Sequence, residues 1–445
     1  MHSVFDDILG GGVFGTSPER AWSAWPFSLR VESHWHELNS TALIFPLHLT
    51  PRHSSKFDRW TNDIFAMSVP LAPIMASNAT HIRPSFRRDF RIAIICALPL
   101  EYDAASLLVD EFWDKDGMQY GRTDGDSNTY RNGRVGAHNV VLMLLPSMGK
   151  VQSAASANSL RISYPGISLA LLVGVCGGVP GVHEMVLGDV VVSDDLVQYD
   201  FGRQYPGEFV TKDQAQDHPR SQSKEIRSLL AYFRTDSGRI ELQQDTAKHL
   251  NALQAAAVIK RHRLTYQYPG STKDKLFPAS YRHKHRWPSI CELCCGQTEV
   301  FCCEAAGVSC AQLGCDEALL IQRSRLEMSG TSKEPTYPNP ELFIGRVASA
   351  DKVMKSGEHR DKVAKQYDVI AFEMEGAGMW DEMPTLVVKG ICDYADSHKS
   401  KSWQPFAAAT AAAATKSILI RCIVADSIDV KQHTGKYYKR FKRRT

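Results

Sequence analysis

The pattern of hydrophobic and polar positions changes near residue 89 of this 445-residue chain. Residues 1–88 alternate apolar and polar patches without a sustained period, and they hold four tryptophans among Pro, Ser and His. Such a stretch matches neither an amphipathic helix nor a half-buried strand. We therefore predict that residues 1–88 form a poorly ordered N-terminal extension.

From Phe90 onward, apolar runs of strand length alternate with segments of helical spacing. The predicted strands are 91–98, 138–145, 168–175, 187–194, 342–349, 369–374 and 385–391, and the first predicted helices are 101–113 and 150–162. A last helix is predicted over 405–425, because the alanine-rich run 407–414 favours helix and packs closely. This alternation predicts one α/β domain over residues 89–425.

Residues 213–340 interrupt the alternation. They are polar, basic between Lys260 and Trp287, and rich in Cys and Pro, with helices predicted over 224–233 and 246–262. We interpret this region as an insertion within the domain. Residues 426–445 follow the domain as a basic tail, which we expect to be solvated rather than to bind nucleic acid.

Composition narrows the functional classes. The net charge of +3 and the pI near 8.2 are too balanced to indicate nucleic-acid binding. The N-terminus lacks a basic segment followed by an apolar one, so no secretory signal is expected, and the apolar run 41–49 is too short to span a bilayer. Scattered cysteines in apolar runs indicate buried, reduced thiols (Cys96, Cys176, Cys392 and Cys422). We therefore expect an intracellular, cytoplasmic protein without membrane or nucleic-acid partners.

Two apolar strands end in carboxylates. The first reads Ala-Phe-Glu-Met-Glu-Gly-Ala over 371–377, and the second reads Ile-Cys-Asp-Tyr-Ala-Asp over 391–396. Open α/β sheets hold their ligand crevice at the carboxyl ends of the strands. One carboxylate there can grip sugar hydroxyls while another protonates a leaving base.

Seven segments, in order along the chain, carry a resemblance to a known family. They are IAIICALPLEYDA (92–104), MGKV (148–151), LLVGVCGGVP (171–180), LGDVVVSD (187–194), YDFGRQYP (199–206), FEMEGAG (372–378) and KGICDYADSHK (389–399). Together they resemble the nucleoside phosphorylase / nucleosidase superfamily, and most of all the fungal domains that occur alone or ahead of NACHT, ankyrin or tetratricopeptide modules. The resemblance implies a three-layer α/β/α sandwich around a mixed, partly barrel-like sheet.

The resemblance also implies roles for the acidic residues. Asp393 is the candidate general acid that protonates the purine, and its alternative role is to cap the next helix. Glu375 and Met374 are the candidate ribose clamp, and Glu373 supports them or is structural. Glu101 is the candidate general base that activates water, and its alternative role is that of a first-turn helix Glu. The phosphorolytic bacterial branch of the family carries an Arg in the loop before Glu101, and the absence of an Arg there favours hydrolysis.

Further residues are expected to line the substrate site. Gly149 and Lys150 precede a helix and can offer N–H groups or charge to an anion, which keeps phosphorolysis open. Backbone approach to the purine is implied at Gly177 and Gly178, and a pocket mouth is implied at Tyr199, Phe201 and Arg203. Two departures put the base in doubt, since relatives have Ser-Gly-Asp where this chain has Ser349-Ala350-Asp351, and Val353 replaces a Phe.

The insertion holds seven cysteines between 291 and 315. Cys291, Cys294, Cys302, Cys303, Cys310 and Cys315, with His283 and His285 upstream, are candidate ligands of a structural zinc ion. Their spacing does not match a standard finger, so free thiols remain the alternative. The basic run 261–286 either reaches the 5′-end of a nucleotide or forms a solvated face.

These observations together predict an N-ribosyl hydrolase that acts on a purine nucleoside or nucleotide without a cofactor. The alternatives are a phosphate-dependent phosphorylase and a non-catalytic nucleotide-sensing module. The resemblance also implies a homo-oligomer, because pockets of this superfamily often border a subunit interface.

Overall fold

A computed structural model describes residues 83–422, apart from 116, 118–119, 182, 213–221, 287–290, 297–300 and 329–338. Of the predicted N-terminal extension, only residues 83–88 are described, and the basic tail over 426–445 lies outside the described residues. The strands are β1 (Ile92–Cys96), β2 (Glu111–Phe112), β3 (Tyr130–Val135), β4 (His138–Leu144), β5 (Leu169–Gly178), β6 (Val190–Gln198), β7 (Gly202–Tyr205), β8 (Glu208–Thr211), β9 (Leu342–Ser349), β10 (Val369–Glu373) and β11 (Thr385–Asp393).

The helices are α1 (Pro99–Leu107), α2 (Lys150–Ser163), α3 (Lys224–Phe233), α4 (Asp236–Ile259), α5 (Glu292–Gly296), α6 (Cys310–Leu313), α7 (Ser324–Met328), α8 (Gly357–Tyr367), α9 (Gly376–Trp380) and α10 (Gln404–Arg421). None of the helices in the described part of the chain is both long and apolar enough to cross a membrane.

The described residues form one nine-stranded mixed sheet in the order β10-β9-β6-β11-β5-β1-β4-β3-β2. Strands β4, β1, β5 and β11 run parallel, whereas β6 is antiparallel to β11. Strand β10 also pairs with β5 through Phe372 and Gly177, which curls one end of the sheet into a partial barrel. This pairing brings the residues that follow β10 next to the carboxyl end of β5.

Each face of the sheet is covered by helices. Residues of α1, α4 and α10 pack into one buried cluster with Leu171, Val173 and Val388, and residues of α2 and α9 pack into another with Leu172 and Val387. The alternation of neighbouring strand residues between the two clusters is the two-residue period of a buried strand. The predicted α/β/α sandwich around a mixed sheet is therefore confirmed.

Helix α10 packs unusually closely on the strand that carries the site. A Cβ atom added at Gly390 of β11 would lie 2.0 Å from the carbonyl oxygen of Ala407. Nearly every residue of α10 from Phe406 to Leu419 is buried. Small residues on both partners therefore fix β11 directly against the helix backbone.

The region predicted as an insertion has two different parts. Helices α3 and α4 supply Leu230, Phe233 and Leu250 to the main core, and α4 begins ten residues earlier than the predicted 246. The part after α4 is anchored by a buried network, in which Arg323 and the Tyr394 hydroxyl both donate to the Asp274 carboxylate. Because Tyr394 directly follows β11, this network ties the inserted segment to the end of the site strand.

Candidate active site

A buried lysine pairs with one of the predicted site carboxylates. Lys389 projects from β11, and its Nζ lies 3.1 Å from Oε2 of Glu375, which precedes α9. Lys389 and Glu375 are 1% and 4% exposed. The Ser153 hydroxyl of α2 donates to the Glu375 carbonyl at 2.8 Å, so both ends of this residue are held.

Three carboxylates share the field of Lys389. Burial by itself lowers the pKa of Lys389, but Glu375, Glu101 and Glu373 outweigh it and raise the pKa above its ordinary value. The lysine is therefore charged in the folded protein, and its charge offsets part of the like-charge repulsion among the acids. Residues far apart in sequence thus converge on one interior position.

Glu101 is held in place by three backbone N–H groups. Its Oε2 accepts from Ala97 at 3.0 Å and Leu98 at 2.9 Å, and its Oε1 accepts from Val175 of β5 at 2.8 Å. Burial raises the pKa of Glu101 more than Lys389 lowers it, and Glu375 adds to the rise. A carboxylate has about four acceptor positions, so one remains to accept a proton from water.

The alternative interpretation of Glu101, as a residue of the first helical turn, agrees with its contacts. The bond from the N-cap residue Leu98 to the Glu101 carboxylate caps the start of α1, and Pro99 occupies the first turn. The two interpretations are compatible, because the cap fixes the carboxylate where β5 and Lys389 meet it.

Glu373 is the last residue of β10, and its carboxylate is bonded to the backbone of the residues that follow it. It accepts from the backbone N–H groups of Glu375 and Gly376 at 2.9–3.0 Å. Burial raises the pKa of Glu373, Lys389 lowers it and Glu375 raises it further. These contacts fix the turn between β10 and α9, in which Glu375 lies.

Asp393 ends β11, four residues beyond Lys389. Its Oδ1 accepts from the Ala395 N–H at 2.9 Å and lies 3.0 Å from Lys399 Nζ. Its Oδ2 lies 3.3 Å from the Cys392 thiol. Oδ1 is therefore fixed by two donors, and Oδ2 is the oxygen less occupied by the protein.

The glycines of β5 make room for these acids. A Cβ atom at Gly174 would lie 2.3 Å from Glu101 Oε1, and one at Gly177 would lie 2.9 Å from Asp393 Oδ1. Gly178 lies against Ile391 in the same way. The Gly-rich end of β5 thus contacts Glu101 on one side and Asp393 on the other, so it links the two parts of the site.

The start of α2 is already occupied by carboxylates. Gly149 has a φ of 108°, and the N–H of Lys150 donates to Asp351 Oδ1 at 2.8 Å. The Lys150 ammonium is bonded to Asp200 and lies 3.8 Å from Asp351 Oδ2. The helix N-terminus and the lysine were both predicted to bind an anion. In the structure, both are paired with acidic side chains of the protein itself.

The other predicted substrate-binding residues divide into buried and exposed ones. Tyr199 is buried edge-to-face against Phe372, and burial raises its pKa to about 12. Met374 is half-buried between Glu373 and Glu375. Phe201 and Arg203 are exposed at the hairpin formed by β7 and β8, outside the carboxylate cluster. Val353, which replaces the Phe of relatives, is 51% exposed.

The basic run carries ion pairs at the surface. Arg282 pairs with Glu358 at 3.2 Å, and Lys275 pairs with Glu317. Arg286 lies over the ring of Tyr281, 4.1 Å from its centroid. These contacts fit the solvated-face alternative better than a free phosphate-binding surface.

Two lysines that pair with the candidate acids, Lys389 and Lys399, were not singled out in the sequence. A single lysine inside the otherwise apolar run Thr-Leu-Val-Val-Lys-Gly-Ile is a detectable signal, because a buried charge requires a partner. Lys399 gives no such signal, since it lies in a polar loop and contacts Asp393 only through the fold.

Comparison with known proteins adds a family match. Residues 91–252 match the family model described as the phosphorylase superfamily. A nucleotide-binding leucine-rich repeat (NLR)-like protein of Hyaloscypha variabilis is 28% identical over 77% of this chain and 30% of its own length. A 5′-methylthioadenosine/S-adenosylhomocysteine nucleosidase of Mycobacterium tuberculosis is 33% identical over 25% of this chain and 39% of its own length. The chain thus spans well under half the length of these curated relatives.

Two solved structures of bacterial proteins are similar to this chain over about three quarters of its length. The S-adenosylhomocysteine nucleosidase of Streptococcus pyogenes is 17% identical, with a TM-score of 0.42 over 76% of this chain and 98% of that one. The futalosine hydrolase of Helicobacter pylori is 18% identical, with a TM-score of 0.38 over 74% of this chain and 97% of that one. The family match over residues 91–252 agrees with the resemblance seen in the motifs, so this part of the chain is similar to the phosphorylase superfamily.

Proposed function

We propose that this protein hydrolyses the N-glycosidic bond of a purine nucleoside or nucleotide. The observation that carries the proposal is the buried Glu375–Lys389 pair beside the carboxylate of Glu101. Cleavage of such a bond passes through a sugar with oxocarbenium character, which needs a held ribose, a protonated base and a nucleophile. The cluster offers residues for each of these tasks.

Glu375 is the proposed ribose clamp. A carboxylate accepts hydrogen bonds from the 2′- and 3′-hydroxyls, and such charge-assisted bonds are about twice as strong as neutral ones. Lys389 orients the carboxylate through Oε2, which leaves Oε1 for the sugar. Met374, the half-buried residue before it, is the proposed apolar contact under the sugar.

Asp393 is the proposed general acid. Its Oδ1 is fixed by Ala395 and Lys399, and Oδ2 is the oxygen that can pass a proton to the purine. A positioned acid contributes about 10²–10⁴-fold to the rate. Gly177, which contacts Asp393, permits the close approach of a planar base to the strand end.

Glu101 is the proposed general base. Its three N–H donors fix the carboxylate, and its raised pKa strengthens it as a base toward water. Hydrolysis is favoured over phosphorolysis because Asp351 and Asp200 already neutralise Lys150 and the start of α2. A phosphate ion there would meet two like charges.

The relatives support the same reaction class. A curated relative acts, by its name, on 5′-methylthioadenosine and S-adenosylhomocysteine, which are adenine nucleosides. The NLR-like relative supports a second candidate, a domain that binds a nucleotide without cleaving it. A sensing role does not require Glu101, Glu375 and Asp393 together, so catalysis is the better explanation of the site.

A product assay separates these candidates. The protein is incubated with a panel of purine nucleosides and nucleotides, with and without inorganic phosphate, and the products are separated by chromatography. Hydrolysis gives the free base and ribose, or the free base and ribose phosphate, when no inorganic phosphate is added. Strict dependence on phosphate would establish the phosphorylase instead, and thermal stabilisation by a nucleotide without any product would establish the sensor.

A further inference from the structure

The inserted segment after α4 has a small core of its own, separate from the sandwich. Its buried residues are Phe277, Cys294, Cys302, Ala305, Leu313 and Cys315. Half of them are cysteines, and the apolar surface they bury is modest for a segment that runs from about residue 270 to 320. Segments with so little core usually need a cross-link or a metal.

Four potential metal ligands converge at one edge of this core. The ligand atoms of His285, Cys291, Cys294 and Cys302 all lie within 4.8 Å of one another. His285 Nδ1 is 3.4 Å from Cys294 Sγ and 3.9 Å from Cys302 Sγ, and the Cys291 and Cys302 sulfurs are 3.9 Å apart.

These distances match a tetrahedral zinc site. Zn–S bonds of about 2.3 Å and Zn–N bonds of about 2.0–2.1 Å place two sulfurs about 3.8 Å apart and a sulfur about 3.6 Å from a nitrogen. The measured separations agree with these values within a few tenths of an ångström. A disulfide needs sulfurs about 2.05 Å apart, and all described cysteines are free.

We propose that His285, Cys291, Cys294 and Cys302 bind one zinc ion that holds the inserted segment together. Three thiolates and an imidazole form a closed, four-coordinate set, which is the composition of structural rather than catalytic zinc sites. Soft thiolate ligands favour zinc over the hard cations Mg²⁺ and Ca²⁺. Cys303, the neighbour of Cys302, is exposed and lies outside the set, so only part of the predicted cysteine list belongs to this site.

A second, smaller group lies beside the first. The ligand atoms of His283, Cys310 and Cys315 also lie within 4.8 Å of one another, with His283 Nδ1 3.7 Å from each sulfur. This group offers three protein ligands among the described residues. The four-residue set has the complete ligand number of a tetrahedral site.

The zinc-bearing segment contacts the loop that follows Asp393. The backbone N–H of His283 donates to the Ser397 hydroxyl at 3.0 Å. The ring of His398 lies against Phe277 at 4.3 Å and parallel to Tyr281 at 5.7 Å between centroids. Lys399, the next residue, pairs with Asp393. An ion that rigidifies the segment therefore also restrains the loop that supplies the partner of Asp393.

The test compares two single substitutions at adjacent cysteines in the full chain. Cys302→Ser removes a ligand, whereas Cys303→Ser removes a neighbouring thiol that is not one. Each protein is purified without chelator, and its zinc content is measured by elemental analysis. We expect Cys303→Ser to keep the zinc content of the parent protein and Cys302→Ser to hold one ion fewer per chain.

Equal zinc contents in the two variants, or a folded parent protein without zinc, would overturn the proposal. If Cys302→Ser does not fold, cobalt titration of Cys310→Ser, which removes a ligand of the smaller group, decides the question. Thiolate-to-cobalt charge-transfer bands with intense tetrahedral bands support the four-residue site, and their absence contradicts it. Neither measurement depends on the proposed hydrolase activity.

Discussion

The ammonium of Lys389 lies 3.1 Å from Oε2 of Glu375, and both groups are withdrawn from solvent. Buried charges of this kind are tolerated when they are paired and hydrogen-bonded. The charge of Lys389 is shared among three acids, because Glu101 and Glu373 also interact electrostatically with this lysine. The lysine therefore has a role in stability as well as in the orientation of the proposed sugar clamp.

Replacement of Lys389 by Met is expected to destabilise the fold. The loss of the ammonium leaves Glu375 buried without its partner, which typically costs about 3–5 kcal/mol. The measurement is the free energy of unfolding from urea denaturation at neutral pH. Lys365→Met, at an exposed position of α8, serves as the control and should change this free energy little. A loss at Lys389 as small as that of the control would show that the acids carry no net charge in the fold.

Glu101 should set the acidic limb of the pH profile. A general base acts as the carboxylate, so kcat/KM should fall as the pH drops through the pKa of Glu101, which burial raises. Inactivation should therefore begin at a higher pH than for an ordinary Glu. Glu101→Gln should lower kcat by about 10²–10⁴-fold and remove this limb. An unchanged acidic limb in the variant would assign the titration to another group.

Asp393→Asn tests the general acid with little change in shape. The amide cannot supply the proton, so kcat should fall by about 10²–10⁴-fold while KM changes little. Asp368→Asn is a suitable control, because Asp368 is exposed and has a φ of 55°, a conformation that Asn tolerates well. Full turnover by Asp393→Asn would exclude this residue as the proton donor.

The network that anchors the inserted segment gives a graded prediction. Arg323→Met leaves the fully buried Asp274 carboxylate without its cation, which should cost about 3–5 kcal/mol of unfolding free energy. Tyr394→Phe removes one hydrogen bond to the same carboxylate and should cost about 1 kcal/mol. Urea denaturation of both variants gives the two losses of unfolding free energy, and the loss for Arg323→Met should be several times larger. Equal losses would mean that the ion pair stabilises Asp274 no more than the hydroxyl does.

The main strands could be predicted from sequence because each is a compact apolar run. β1, β5 and β11 follow the predicted segments closely at their cores. β3 was missed, since Arg131, Asn132 and Arg134 break the apolar pattern that identifies a buried strand. The early start of α4 was missed because its first turns are polar and exposed on most sides.

The sequence could indicate the acids of the candidate site, but not the residues that contact them. Glu101, Glu375 and Asp393 are adjacent to strand ends, which sequence periodicity can locate. The bond from Val175 to Glu101 and the pair between Lys399 and Asp393 depend on strand register and loop path. Neither contact can be predicted from the spacing of neighbouring residues, so both become visible only in the folded structure. The zinc ligands follow the same rule, since Cys302 and Cys303 are indistinguishable until the fold separates them.

The close contact between Gly390 and Ala407 has a consequence for how ligands are accommodated. Neighbouring residues of a strand face opposite sides, so Lys389 lies on the face away from α10. Because β11 already contacts the backbone of α10, it cannot shift toward that helix when a molecule binds beside Lys389. For the proposed substrate, we therefore expect selectivity to come from the loops around the candidate site rather than from movement of β11.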